Sequence, residues 1–273
     1  MTADRMLAEL TPWLEAELGV SLRVAGADPV PVFAAQARAA GERPLWALKL
    51  GDRAVVTVRP DWLDAVRSVV TGLNVEQLFS VFGAYELARV TLPQGAGVWG
   101  PSWMFVVDPE RFRPARDERP VHMTVEQLNA EVDAELFWHC FPNAAQAGFG
   151  IYDGAELIAL AAVQELTHGV WEIGFDVVPQ RKRGGLGRAV MSAAAEWILA
   201  RDRLALATTS PWNVPSARTQ RSLGMWHFAT DMQGVMGTFH VPPSPLGTPF
   251  AGAEVYHYYP DWAMNPDIHP RDR

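Results

Sequence analysis

Residues 177–188 read VVPQRKRGGLGR, and the reading of this stretch decides the fold. Before it, residues 170–178 alternate as a strand does, with Trp171, Ile173, Phe175 and Val177 on one face and Glu172 and Asp176 on the other. After it the period changes. Leu186, Ala189, Val190, Ala193, Ala194, Trp197 and Ile198 follow the spacing of one apolar helix face, about four turns long. The stretch is therefore a strand-to-helix turn rich in glycine and cation. Gly185 and Gly187 open backbone angles closed to other residues and let a ligand approach the main chain. The first amides of a helix have no internal partner, and the helix dipole adds positive charge there. Together they make an anion site suited to phosphate. Lys182, Arg183 and Arg188 add charge around Gly184, Gly185, Leu186 and Gly187. The competing reading is a solvated basic loop that merely caps the helix.

Two familiar phosphate loops do not fit. A P-loop needs Gly-Lys-Ser/Thr, and here the turn ends Gly187-Arg188-Ala189. A dinucleotide fingerprint needs a third glycine where Val190 stands.

The flanking sequence has a clear order. Thr124 with Gln127 three residues on has the form of a capping box at a helix start. FGIYDGAELIALAAV (149–163) reads as a hairpin about the turn dipeptide Asp153-Gly154. LTHG (166–169) supplies the next turn and VWEIGFDVV (170–178) the third strand, an antiparallel meander. LALATTS (204–210) reads as a buried strand. NVPSARTQRSLG (213–224) reads as a short helix closed by Gly224, and MWHFATDM (225–232) as a last strand. The C-terminal half is thus β-β-β-α-β-α-β.

With that order on the page, VVPQRKRGGLGRAV resembles the acetyl-CoA signature of the GCN5-related N-acetyltransferase (GNAT) family. Lys182, Gly185 and Gly187 fall at its key positions, with lysine where the family has Arg or Gln. WNVPSARTQRSLGM resembles the family's later signature through Asn213, Ser216, Leu223, Gly224 and Met225. The two lie in order, about 26 residues apart, and the resemblance covers about residues 120–238. It implies a mixed α/β (α+β) fold, a mostly antiparallel twisted sheet flanked by helices; the smaller α/β domain expected before it lies outside the resemblance. It implies acetyl-CoA as co-substrate, with the pyrophosphate on the turn from Lys182 to Arg188. The pantetheine arm would lie against backbone of Val177 and Val178, with Asn213 toward the arm or its thiol end and Ser216 among the cofactor-binding residues.

The implied reaction is direct N-acetyl transfer to an amine. An ammonium cannot attack a thioester, so something must take its proton. Glu172 is the first candidate base and Asp176 the second. Both are equally readable as solvated or structurally paired carboxylates. The family's general-acid tyrosine position holds Gln220, which cannot donate a proton to a thiolate. Val178 is the candidate amide for the oxyanion. The competing function is a non-catalytic acyl-CoA-binding regulatory module.

The whole chain sets bounds. It has 273 residues, 49% of them hydrophobic, enough for one large domain or two of ordinary size. The expected division is an N-terminal α/β domain over 1–115, the acyl-CoA-binding domain over 116–240 and a docking tail over 241–273. DPERFRPARDERP (108–120) is the expected linker. The N-terminal part reads as a helix over 3–18 with Leu7, Leu10, Leu14 and Leu18 on one face. Strands follow in SLRVAG, WALKL, AVVTVR and SWMFVVD, with helices in DWLDAVRSVVTGL and VEQLFSVFGAYELARV. That region is open to three roles: a degenerate transferase half, a substrate-recognition domain, or the dimerisation element of a homodimer. A net charge of −8 argues against nucleic acid or an anionic membrane as main partner. The single cysteine, Cys140, sits in the apolar FWHCF and reads as a buried, inert thiol in a cytoplasmic protein. The histidines show no metal-ligand spacing, and the acceptor amine is not encoded in the glycine turn.

Overall fold

The computed structural model describes residues 3–22, 29–35, 43–141, 143–181 and 184–236. Lys182, Arg183, most of SLRVAG and the tail from Pro242 lie outside them. In chain order the elements begin with α1 (Ala3–Leu18), β1 (Val32–Ala34), β2 (Leu45–Leu50), β3 (Arg53–Val58), α2 (Leu63–Thr71), α3 (Val75–Leu78) and α4 (Val81–Thr91). Next come β4 (Ala96–Val107), β5 (Val121–Met123), α5 (Val125–Glu131), β6 (Ala147–Asp153), β7 (Glu156–Glu165) and β8 (Val170–Val177). The last are α6 (Leu186–Leu199), β9 (Leu204–Thr209), α7 (Val214–Ser222) and β10 (Trp226–Met236). The fold is mixed α/β, its sheet pairing mostly antiparallel and flanked by helices.

The chain forms two compact units. Unit one holds the described residues of 1–13, 104–209 and 215–228; unit two holds those of 14–103, 210–214 and 229–236. Residues 108–120, expected as a linker, are tied into unit one. There Arg113 N–H donates to Leu223 O (2.9 Å) and Ala115 N–H to Ser192 Oγ (2.8 Å).

In unit one, β5, β6, β7 and β8 pair antiparallel in sequence order, and β9 joins β8 in parallel. The capping box at α5 forms as its residues dictate: Thr124 Oγ1 accepts from Gln127 N–H, and Gln127 Oε1 from Thr124 N–H. The β6–β7 hairpin turns one residue later than its dipeptide suggests. Asp153 pairs with Glu156, so Gly154 and Ala155 form the loop, and only Gly154 is left-handed (φ +63°). One left-handed residue at the first central position is the II′ pattern, not I′. Helix α6 buries Leu186, Ala189, Val190, Ala194 and Ile198, the stripe its spacing requires. The opposite sheet face carries a second core of Met123, Leu128, Phe137, Cys140, Leu160 and Val178.

Unit two orders its strands β1-β3-β2-β10, with β1–β3 parallel and the others antiparallel. The short strand β1 was not legible in the sequence. The segment read as one helix over 75–90 is two: α3 ends at Leu78, and Ser80 caps α4 by accepting from Gly83 N–H (3.3 Å). Gly83 is required at that corner, because a Cβ there would stand 1.9 Å from Leu78 O. At the centre of unit two, Trp46 Nε1–H donates to the fully buried Asp231 carboxylate (2.9 Å).

Candidate active site

The site begins at a fork between two strands of unit one. Strand β8 pairs with β9 at Val170–Leu204, Trp171–Ala205 and Glu172–Leu206, and the ladder ends there. Both strands continue, β8 to Val177 and β9 to Thr209. The register decides which backbone groups face the opening. Val178 N–H donates to Ile158 O (3.0 Å), in line with the β7–β8 pairs Leu160–Asp176 and Ala162–Gly174. In an antiparallel ladder alternate residues turn both backbone groups toward one neighbour. The even residues of β8 therefore face β7, and Ile173, Phe175 and Val177 face the opening. This corrects the expectation for Val178. Its N–H is spent on β7, and its side chain is buried in the core, so it is neither an edge donor nor an oxyanion donor. Ile173 and Phe175 join Val177 instead, and only the pairing parity reveals them.

Beyond β8 the chain makes a 3-10 turn over Pro179–Arg181 and reaches the glycines. Gly184 and Gly185 are left-handed (φ +71° and +73°), and a Cβ on either would meet nothing within 4 Å. Their requirement is conformational, since among the described residues nothing crowds a side chain there. Gly187 differs from its expected role. It is helical, and its Cβ would lie 3.1 Å from the Phe175 ring, so it lets α6 approach β8 closely. Gly185 is the N-cap of α6 and has no side chain to cap it. The amides of Leu186, Gly187 and Arg188 therefore form the unpartnered first turn of a helix of 14 residues.

The cations divide. Arg181 turns toward the hairpin, 2.7 Å from Asp153. Arg188 Nε–H donates to Ser222 Oγ (3.2 Å). Arg119, unnoticed in the sequence because it lies in the expected linker, donates to Gly184 O (3.2 Å) and pairs with Asp117 (2.6 Å). Its hydrogen bond with Asp117 holds that carboxyl below the usual range.

The two carboxylates share the face of β8 turned away from α6. Glu172, half-buried beside the last paired position of the fork, accepts from Gln164 Nε2–H (2.7 Å) and Thr208 Oγ1–H (3.4 Å). Asp176 accepts from His139 N–H (2.9 Å) and lies 2.6 Å from His139 Nδ1. Between them, Gly174 leaves room for the His139 carbonyl, which a Cβ would meet at 1.7 Å. Cys140 is buried beside this contact, and burial pushes its thiol well above the ordinary range.

On α7, Gln220 is fully buried, its Nε2–H groups directed to Thr208 O (3.3 Å) and Ser216 Oγ (3.1 Å). Ser216 is thereby held against β9. Asn213 lies in the 210–214 segment of unit two, where its N–H donates to Ser210 O (2.9 Å). Gly224 ends α7 at φ +83°, and a Cβ there would stand 2.0 Å from Arg111 O. That glycine is required both by its backbone angle and by its neighbour. Among the described residues no group of three or more His, Cys, Asp or Glu side chains could hold a metal ion. Nor is any of their helices long and apolar enough to cross a membrane.

Comparison with known proteins bears on this geometry. Residues 112–225 match the model of the acetyltransferase (GNAT) family. A search of the curated proteins finds no match. Among solved structures, the chain is similar to a putative GNAT acetyltransferase from Novosphingobium aromaticivorans. Identity is 15%, coverage is 53% of this chain and 69% of that one, and the TM-score is 0.42. A GCN5-related N-acetyltransferase from Kribbella flavida is 22% identical over 54% of this chain and 63% of that one, with a TM-score of 0.39. A GNAT-family acetyltransferase from Colwellia psychrerythraea is 14% identical over 84% of this chain and 97% of that one, with a TM-score of 0.44.

Proposed function

We propose that the protein, whose residues 112–225 match the model of the acetyltransferase (GNAT) family, transfers the acetyl group of acetyl-CoA directly to an amine. The observation that carries this reading is the fork at Glu172–Leu206 with a left-handed glycine turn following the same strand. An extended amide-bearing arm fits a strand edge with unspent backbone groups, and a pyrophosphate fits a helix N-terminus.

The division of labour follows. The backbone of Ile173, Phe175 and Val177 pairs with the pantetheine arm. The amides of residues 185–188, with Lys182, Arg183 and Arg188, hold the pyrophosphate. Ser216, on α7, is the residue of unit one assigned to the cofactor beside this edge. Holding both partners in one geometry supplies much of the rate enhancement, because a bimolecular step becomes effectively unimolecular. Glu172 takes the proton of the incoming ammonium. Its donors Gln164 and Thr208 fix the carboxylate without neutralising it. The acceptor is an amine of small-molecule or protein origin, and the protein acts in the cytoplasm.

Titration calorimetry of the full chain with acetyl-CoA tests the first half of the proposal. Saturable binding is expected, and none at millimolar concentration would refute it. Release of coenzyme A thiol across an amine panel tests the second half. Binding without turnover on every amine would leave a regulatory acyl-CoA module in place of an enzyme.

A further inference from the structure

Thioester aminolysis needs a proton donor as well as an acceptor, because the leaving thiolate must be neutralised. The Gln220 amide cannot serve, and its Nε2–H groups are spent on Thr208 O and Ser216 Oγ. The Tyr152 phenol donates to Glu131 (2.8 Å) and is pushed up to about 12, first by burial and then by that bond. The Cys140 thiol is buried. Among the described residues, His139 is held against β8 at Gly174 and Asp176.

Resting on the reading above, we propose that His139 is the proton donor to the departing coenzyme A thiolate, with Asp176 as its positioning residue. Three contacts fix the ring. The His139 carbonyl fills the space left by Gly174, its N–H donates to one Asp176 oxygen, and Nδ1 faces the other at 2.6 Å. The 3-10 turn Trp138–Cys140 is anchored beneath by Cys140 Sγ, which reaches Leu160 O at 3.5 Å. The Trp138 ring lies tilted against the imidazole, centroids 3.5 Å apart. With Nδ1–H directed to Asp176, the half-exposed ring presents Nε2 outward.

Its place along β8 suits the role. The glycine turn that takes the pyrophosphate follows Val177, and the fork closes at Glu172. A pantetheine arm laid along Val177, Phe175 and Ile173 therefore passes His139 before its acyl end reaches Glu172. Glu172 and His139 then divide the proton work at two stations of one strand. The amine nitrogen bonds to the acyl carbon and the carbon–sulfur bond breaks. Glu172 has taken the ammonium proton beforehand, the proton released as the nitrogen becomes an amide goes to solvent, and an Nε2–H proton passes from His139 to sulfur. The products are N-acetylamine and coenzyme A thiol, and solvent returns both side chains to their starting states. The carboxylate of Asp176 holds the ring in this orientation through both of its oxygens. Among the described residues, the Cys140 thiol, 4.0 Å from Asp176, is an ionisable group packed against this pair.

The test uses the full chain, acetyl-CoA and hydroxylamine, an acceptor unprotonated at neutral pH that does not need Glu172 to free it. His139→Ala is expected to lower kcat about 10²–10⁴-fold, to leave acetyl-CoA binding by calorimetry unchanged, and to regain rate on adding imidazole. Asp176→Asn is expected to lower kcat while retaining binding, with no gain from imidazole. His139→Gln, compared by thermal unfolding, separates a proton-transfer loss from a folding loss. A His139→Ala protein that binds acetyl-CoA and keeps kcat within about tenfold of the parent overturns the proposal. Failure of the unaltered chain to bind acetyl-CoA would instead refute the reading on which it rests.

Discussion

The carbonyl oxygen of His139 occupies the space that a side chain on Gly174 would need, 1.7 Å from where its Cβ would stand. A single methyl at 174 must therefore displace the 138–140 turn from β8. Gly174→Ala is expected to cost about 1–3 kcal/mol, the usual range for overpacking. Chemical denaturation measures it directly. A variant as stable as the parent would mean that the turn does not sit against the strand.

Glu172 stands at the last paired position of the fork, and its proposed task is to free the amine from its proton. Glu172→Gln keeps the shape and removes the base. It is expected to lower kcat/KM about 10²–10⁴-fold on alkylamines, which are protonated at neutral pH. The loss on hydroxylamine should be small. Equal losses on both acceptors would assign Glu172 to positioning rather than proton transfer.

Cys140 is buried against Leu160 and Gly174, and burial raises its thiol well above the ordinary value. Thiolate is the reactive form, so the native protein is expected to resist iodoacetamide near pH 8 and to react after unfolding. Mass spectrometry of the alkylated chain reads the result. Rapid labelling of the folded protein would contradict the burial. The same inertness keeps this thiol out of assays that count released coenzyme A.

Asp231 is fully buried in unit two, where burial raises its carboxyl despite donors from Gln233 and Trp46. A carboxyl raised in the folded state binds its proton more tightly than in the unfolded chain. The resulting stability is complete below the unfolded value near 4 and is lost as pH rises through the folded value. Asp231→Asn, which holds no titrating proton, is expected to lose that decline. Urea unfolding across mildly acid to neutral pH should show the variant gaining on the parent as pH rises. A difference independent of pH would contradict the shift.

The parts of the fold written in local period were legible in the sequence. The α6 stripe, the Thr124–Gln127 capping box and the hairpin order all follow from spacings of two to four residues. The turn at Asp153-Gly154 was legible only to within one residue, because its type depends on the pairing of Asp153 with Glu156. The glycine turn was recognisable as such, yet its glycines have separate duties. Gly184 and Gly185 bend the chain, while Gly187 admits the Phe175 ring, a neighbour ten or more residues away. The edge residues of β8 depended on ladder parity, which moved the duty from Val178 to Ile173 and Phe175. His139 left no signal, because its link to Asp176 joins residues 37 apart through a turn with no repeat.

The central claim is that an acyl-CoA lies along the open edge of β8 with its pyrophosphate on the turn before α6. Hydrogen–deuterium exchange of the full chain with and without acetyl-CoA tests it most directly. Peptides covering 173–178 and 184–189 are expected to exchange more slowly with acetyl-CoA present, while β2 and β3 exchange as before. Unchanged exchange in both peptides at saturating acetyl-CoA would contradict the account.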